Sequence, residues 1–177
     1  PVVTPDGRYV AFDSQASTLV PNDTDGVADV FLHDNVTGTT EVISHADTPP
    51  GAPSGGGGPS ISADGHLVAF VANRGQWTGV YVRDRVSGGI ERVDVTPSGS
   101  DPNLDSGGEI MTPDGHYVAF TSNASDLVAG DTNGAGDIFV RDRAAGVTER
   151  VSLANSGAQL AGLGRLRAFS RDGRYVL

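Results

Sequence analysis

The chain has 177 residues, a length for one domain, and its lack of cysteine excludes disulfide frameworks, thiolate metal sites and cysteine nucleophiles. Its acids divide into 18 Asp and 4 Glu against 12 Arg and no Lys, and the net charge of −10 repels a phosphate backbone and excludes nucleic acid as a partner. No apolar run approaches the ~20 residues of a membrane-spanning helix, so no membrane insertion by a helix is expected.

Repetition organises the chain. Asp6-Gly7, Asp64-Gly65, Asp114-Gly115 and Asp172-Gly173 open the strings DGRYVAF, DGHLVAF, DGHYVAF and DGRYVL. A second landmark, VFLHD, VYVRD and IFVRD, ends at Asp34, Asp84 and Asp142, and the next Asp-Gly follows 30 residues later each time. Between the two landmarks the second repeat is eight residues shorter than the first and third. Each repeat divides into four extended runs. In the second these are Pro59 to Ser62, His66 to Ala72, Val80 to Asp84 and Ile90 to Val95, separated by Asp-Gly and Asp-x-x-x-Gly turn signals. No window has a useful helical period, so the chain is all-β.

Four antiparallel strands recurring at this period predict β-propeller blades, in one segment spanning 1–177 with repeats at 1–58, 59–108 and 109–166 and a partial fourth at 167–177. The second run, apolar on both faces (Tyr9, Val10, Ala11, Phe12), suits a strand sandwiched between blades. The fourth, with Glu41, Glu91, Glu149, Arg92 and Arg150, suits an outer edge blunted by charge. The Gly/Pro stretch from Thr48 to Pro59, and its counterparts 98–109 and 156–167, are expected to be blade-to-blade connections on one rim. That rim is the expected partner surface.

The strings TPDGRYVAF, SADGHLVAF and TPDGHYVAF resemble the PD40, or WD40-like, repeats of TolB-type propellers. The resemblance implies a ring of six or more blades, so three full repeats and part of a fourth make an incomplete ring, completed by missing blades or by another chain. It also implies a binding platform, a periplasmic scaffold or the non-catalytic domain of a peptidase.

The segment absent from the second repeat is acidic. It reads Asn22-Asp23-Thr24-Asp25-Gly26-Val27-Ala28-Asp29 in the first repeat and Gly130-Asp131-Thr132-Asn133-Gly134-Ala135-Gly136-Asp137 in the third. Alternating oxygen ligands, a glycine for the sharp turn, a backbone carbonyl and a further carboxylate form a wrap of the kind calcium (Ca²⁺) takes. The candidate ligands are Asp23, Asp25, the Val27 carbonyl and Asp29, then Asp131, Asn133, the Ala135 carbonyl and Asp137. The string is similar to the later part of DxDxDG calcium loops. Their first ligand has no counterpart at Pro21 or Ala129, so water or an adjacent loop is expected to supply it. Mg²⁺ fits less well because it keeps several waters in a strict octahedron. Without a cation the crowded carboxylates repel, and a mobile loop is expected. The same residues also favour Asx-turns in a solvated loop. The shortened loop Arg74-Gly75-Gln76-Trp77 holds no such site. Leu19-Val20 and Leu127-Val128 are expected to tuck the acidic loops onto their blades.

Other candidates carry little. His66 and His116 share the turn slot of Arg8 and Arg174, and the remaining histidines are His33 and His45. No Gly-x-Ser-x-Gly elbow occurs. Trp77 is expected in a loop on the face of the acidic loops, covering the blade end or offering a stacking platform to a ligand. The inner-strand residues Val2, Val3, Ile61, Ile110, Met111 and Phe169 give a sugar-cleaving channel no support. The expected function is thus a non-enzymatic calcium-binding propeller segment presenting a protein or glycan ligand site on its loop rim. An extracellular or periplasmic setting is expected, since low cytosolic calcium leaves weak sites empty. The alternative is the propeller of a larger hydrolase or peptidase whose catalytic domain lies outside this chain.

Overall fold

The computed structural model describes residues 1–21, 23, 26–44, 54–74, 76–160, 166–170 and 173–177, and among them every regular element is a strand. In chain order these are β1 (Val2–Val3), β2 (Tyr9–Ser14), β3 (Asp29–Asp34), β4 (Thr39–Val42), β5 (Ser54–Ile61), β6 (Leu67–Arg74), β7 (Trp77–Asp84), β8 (Ile90–Arg92), β9 (Ser106–Met111), β10 (Tyr117–Ser122), β11 (Asp137–Asp142) and β12 (Val147–Arg150). They form three four-stranded antiparallel sheets, β1–β4, β5–β8 and β9–β12, each with its strands side by side in chain order. A fourth repeat begins with the Phe169–Val176 bridge.

The Asp-Gly signature builds the turn between the first two strands of each sheet. Thr4 Oγ1–H donates to Asp6 Oδ1 at 2.6 Å, Asp6 Oδ1 accepts from the Arg8 N–H, and Thr4 Oγ1 accepts from the Tyr9 N–H at 3.0 Å. Ser62 with Asp64, and Thr112 with Asp114, repeat the arrangement. The hydroxyl donated to each of these three carboxylates is the first cause holding it below the usual range. Further along, an aromatic pair crosses the two middle strands at equivalent register: Phe12–Phe31, Phe70–Tyr81 and Phe120–Phe139, each with ring centroids 5.8 Å apart.

The sheets stack face to face, with β5 against β2 and β3 and β9 against β6 and β7, so the apolar core lies between blades. Val68, Phe70, Ala72 and Tyr81 pack with Ala11, Val30, Leu32 and Ile43 of the first sheet. On the other face Ala69, Val80, Val82 and Val93 pack with Val118, Phe120, Leu127 and Phe139 of the third. The second strand of the middle sheet, β6, is sandwiched as its two-sided apolarity predicts, whereas Tyr9, Val10 and Phe12 of β2 are only half-buried. A buried Phe or Val contributes roughly 1.5–3 kcal/mol, so these two interfaces dominate the stability. Polar staples repeat across them. Arg85 donates to the Gly65 carbonyl at 2.6 Å and to Glu41 Oε1 at 2.8 Å, and its guanidinium lies 4.6 Å from the Tyr9 ring centre. Arg143 likewise reaches the Gly115 carbonyl and Glu91.

Four sequence expectations need correction. The Gly55–Gly58 run is strand, not connection, because β5 reaches back to Ser54 and β9 to Ser106, both with irregular register. Gly55 and Gly56 lie where the inner strand crosses the preceding blade closely: a Cβ on Gly55 would lie 2.9 Å from the Ala28 carbonyl oxygen and one on Gly56 2.9 Å from the Ser44 Cβ. Trp77 opens β7 and pairs with Arg74, because the shorter second repeat lets its hairpin extend. Arg92 and Arg150 do not blunt the outer edge, since their side chains are only 7% and 9% exposed. Leu127 is buried as expected, but Leu19 is 40% exposed, because this position faces the preceding sheet and β1–β4 has none among the described residues.

From the second repeat onward the glycine of the Asp-Gly turn is also an inter-blade contact. At Gly65 φ is +73° and a Cβ would meet the Tyr9 ring at 2.2 Å, whereas at Gly7 φ is +72° with open space around it. The Gly7→Ala variant therefore loses about 1 kcal/mol from backbone strain alone. The Gly65→Ala variant is expected to lose a further 1–3 kcal/mol or so from overpacking. Urea midpoints of the two variants measure the difference.

Candidate functional site

The acidic loops join the second and third strands of the first and third blades, and in both the last aspartate begins the third strand. In the first blade Asp29 is fully buried, and the Ser44 hydroxyl donates to its Oδ1 at 2.5 Å while accepting from the Val30 N–H at 3.0 Å. Asp23 is 3% exposed, and neither carboxylate oxygen has a hydrogen-bond partner among the described residues. Gly26 takes φ +72°, and the Val27 side chain is exposed. The Ala28 carbonyl accepts from the Gly56 N–H at 2.6 Å, which ties the loop base to β5. Asp25 lies outside the described residues, as do Asn22, Thr24 and His45.

In the third blade the structure brings Asp131, Asn133 and Asp137 together. Arg150 Nη1 lies 3.0 Å from Asp131 Oδ1 and 3.7 Å from Asp137 Oδ2. Asn133 Nδ2 donates to Asp137 Oδ2 at 2.9 Å and to the Leu160 carbonyl at 3.0 Å, while its Oδ1 accepts from the Ala135 N–H. The Ser152 hydroxyl donates to Asp137 Oδ1, matching Ser44 on Asp29. Gln159 links the loop's Gly130 carbonyl and Thr132. Among the described residues no group of three or more Asp, Glu or His side chains gathers in a metal-like cluster.

The second blade has no acidic loop, yet it keeps a buried carboxylate at the same level. Asp94 takes the place of Ser44 and Ser152, accepting from the Val80 N–H at 3.0 Å. Arg92 grips it through Nε at 2.8 Å and Nη2 at 3.1 Å, and reaches Asp101 at 2.9 Å. Gly79 stands where the other blades have aspartate, and a Cβ there would be 2.7 Å from Arg92 Nη2. At the same end a cleft of about 310 Å³ opens between the second and third blades, lined by Val71, Thr78, Asp105, Ser106, Thr121 and Ser122.

The three described histidines are ordinary partners of turns and strands. His116 Nε2 meets Asp142 at 3.0 Å, in the slot where Arg8 grips Asp34 at 2.9 Å, while His66 faces Asp64 at 3.2 Å and His33 meets Thr40. The Arg8 hydrogen bond is the main reason the Asp34 carboxyl lies well below the usual range.

Glu109 was hidden within a stretch read as connection. It lies on β9, 6% exposed, with neither carboxylate oxygen hydrogen-bonded among the described residues, and burial pushes its carboxyl up to about 8. The bulged register of β9 masks its strand, although aligning the repeats sets it opposite Pro59.

No family model matches the sequence, and no curated protein matches it. Solved structures do. The chain is similar to TolB from Acinetobacter baumannii, at 25% identity and a TM-score of 0.57, over 98% of this chain and 35% of that one. It is similar to the β-propeller domain of the Trilobed protease from Pyrococcus furiosus at 16% identity and a TM-score of 0.52, over 85% and 42% of the two chains. It is similar also to Porphyromonas gingivalis dipeptidyl peptidase 4 at 15% identity and a TM-score of 0.55, over 91% and 27%. The fold is a TolB-like β-propeller, shared with peptidase propellers, and the chain spans less than half the length of these three structures.

The Glu109 carboxyl binds its proton more tightly folded than unfolded. Its contribution to stability is therefore complete below the ordinary glutamate range and falls as pH rises from there to about 8. The decline is at most about 1.4 kcal/mol per pH unit. Urea midpoints across this range should show it in the parent chain, and Glu109→Gln should flatten it.

Proposed function

We propose that this chain is a non-catalytic propeller scaffold whose rim is ordered by calcium at the first acidic loop. The observation that carries the reading is the Asp23 carboxylate, buried with no partner among the described residues, in a string that also supplies Asp29. Leaving a carboxylate buried and unpaired is costly, and a hard divalent cation removes that cost. The ligand set is Asp23, Asp25, the Val27 carbonyl and Asp29, completed by water. Asp131, Asn133, Ala135 and Asp137 form its counterpart in the third blade, with Arg150 inside it.

The ordered loops and the neighbouring cleft between the second and third blades present a surface for a protein or glycan. A site of this kind, with a dissociation constant on the order of 10⁻⁴ M, fits the calcium levels of an extracellular or periplasmic setting. The likeness to TolB supports the scaffold role, and the chain's missing neighbours in the ring are further blades or another chain.

The test is a calcium titration followed by thermal unfolding. At roughly fifty times the dissociation constant, calcium stabilises by about 2 kcal/mol, which raises Tm by roughly 5 °C. A chelator reverses the rise, and Asp23→Ala abolishes it. An unchanged Tm at millimolar calcium, with Asp23→Ala equally inert, overturns the reading.

A further inference from the structure

The three blades place a buried carboxylate at one structural level and differ in a single residue on the fourth strand. That residue pairs across from the third-strand aromatic: Val42 opposite Phe31, Arg92 opposite Tyr81, and Arg150 opposite Phe139. In the second blade the guanidinium closes on Asp94, and in the third it lies between Asp131 and Asp137. In both, the arginine is folded inward and almost fully buried. In the first blade the equivalent residue carries no charge. The nearby arginines are engaged elsewhere: Arg8 with Asp34 at the far end of β3, Arg85 with Glu41, and Arg74 with Asp101. Asp23, which occupies the place of Asp131, is the carboxylate left 3% exposed with both oxygens unpartnered among the described residues.

We propose that the residue at this fourth-strand position decides which cation each loop takes: the guanidinium of Arg150 in the third blade, and a calcium ion held by Asp23 and Asp29 in the first, where Val42 leaves its place open. A guanidinium and a hydrated divalent ion compete for the same oxygens, and a fixed internal cation needs no free ligand to remain bound. The chain therefore binds one calcium ion, and its two similar acidic strings respond differently to the metal. The inference rests on the calcium reading above and adds why the third-blade loop takes no metal.

Calorimetric titration of the full chain with calcium chloride, paired with thermal unfolding, tests it. The parent chain should bind one equivalent and gain roughly 5 °C in Tm at saturating calcium. Asp23→Asn should abolish both, and Asp131→Asn should leave both unchanged. Val42→Arg should remove calcium binding while keeping the calcium-free Tm at or above that of the parent. Arg150→Val should lower the calcium-free Tm and bind a second equivalent. Should Arg150→Val fail to fold, the asparagine pair and Val42→Arg still decide the matter. Two equivalents bound by the parent, or a calcium response lost in Asp131→Asn, overturns this inference and leaves the calcium reading standing. No binding by the parent overturns both.

Discussion

A carboxylate taken out of water must find a counter-charge or donors, and that requirement shapes one end of every blade. Asp94 finds Arg92, the Asp131–Asp137 pair finds Arg150, and Asp29 finds the Ser44 hydroxyl. Breaking a buried charge pair by removing one partner costs about 3–5 kcal/mol, a large share of the stability of a single domain. An acid left there without donors or a counter-charge is therefore costly. Where a blade gives up its arginine, as at Val42, a calcium ion from solution supplies the missing positive charge in our proposal.

The same redundancy that makes the fold repetitive makes this comparison possible. The turn hydroxyl and aspartate, the aromatic pair, and the arginine reaching back to the previous blade's glutamate recur at equivalent register. Against that constant frame only a few positions vary, and they vary together. Gly79 makes room for Arg92 in the blade where Asp94 replaces serine, while Asp137 and Ser152 coexist with Arg150. One exchange of carboxylate between neighbouring strands changes the whole charge arrangement of a loop.

The architecture was legible from the sequence because its signals are local. Asp-Gly turns fix hairpins, and two-sided apolar strings such as Leu67 to Phe70 mark strands covered on both faces. The inner strands were not legible. Gly55–Gly58 and Ser106–Glu109 lack the β-branched residues that signal a strand, because Gly55 and Gly56 pass too close to the first blade for a Cβ and Gly55, Gly58 and Gly108 take positive φ. Glu109 was lost with them. At the acidic loops the residue types announced a demand for positive charge, and Asp131, Asn133 and Asp137 do come together. Spacing alone could not reveal that Arg150, thirteen residues past Asp137 and on a strand that reads as exposed, folds inward to meet them. That contact depends on strand register, which emerges only from the folded sheet.

The central claim is that each acidic loop closes on a single positive charge, metal in the first blade and guanidinium in the third. X-ray diffraction from crystals grown with calcium, using the ion's anomalous signal, tests it most directly. The account predicts one peak within coordination distance of Asp23 and Asp29, and Arg150 between Asp131 and Asp137 with no peak beside it. A first-blade loop with its acids turned apart into solvent and no bound ion would contradict it.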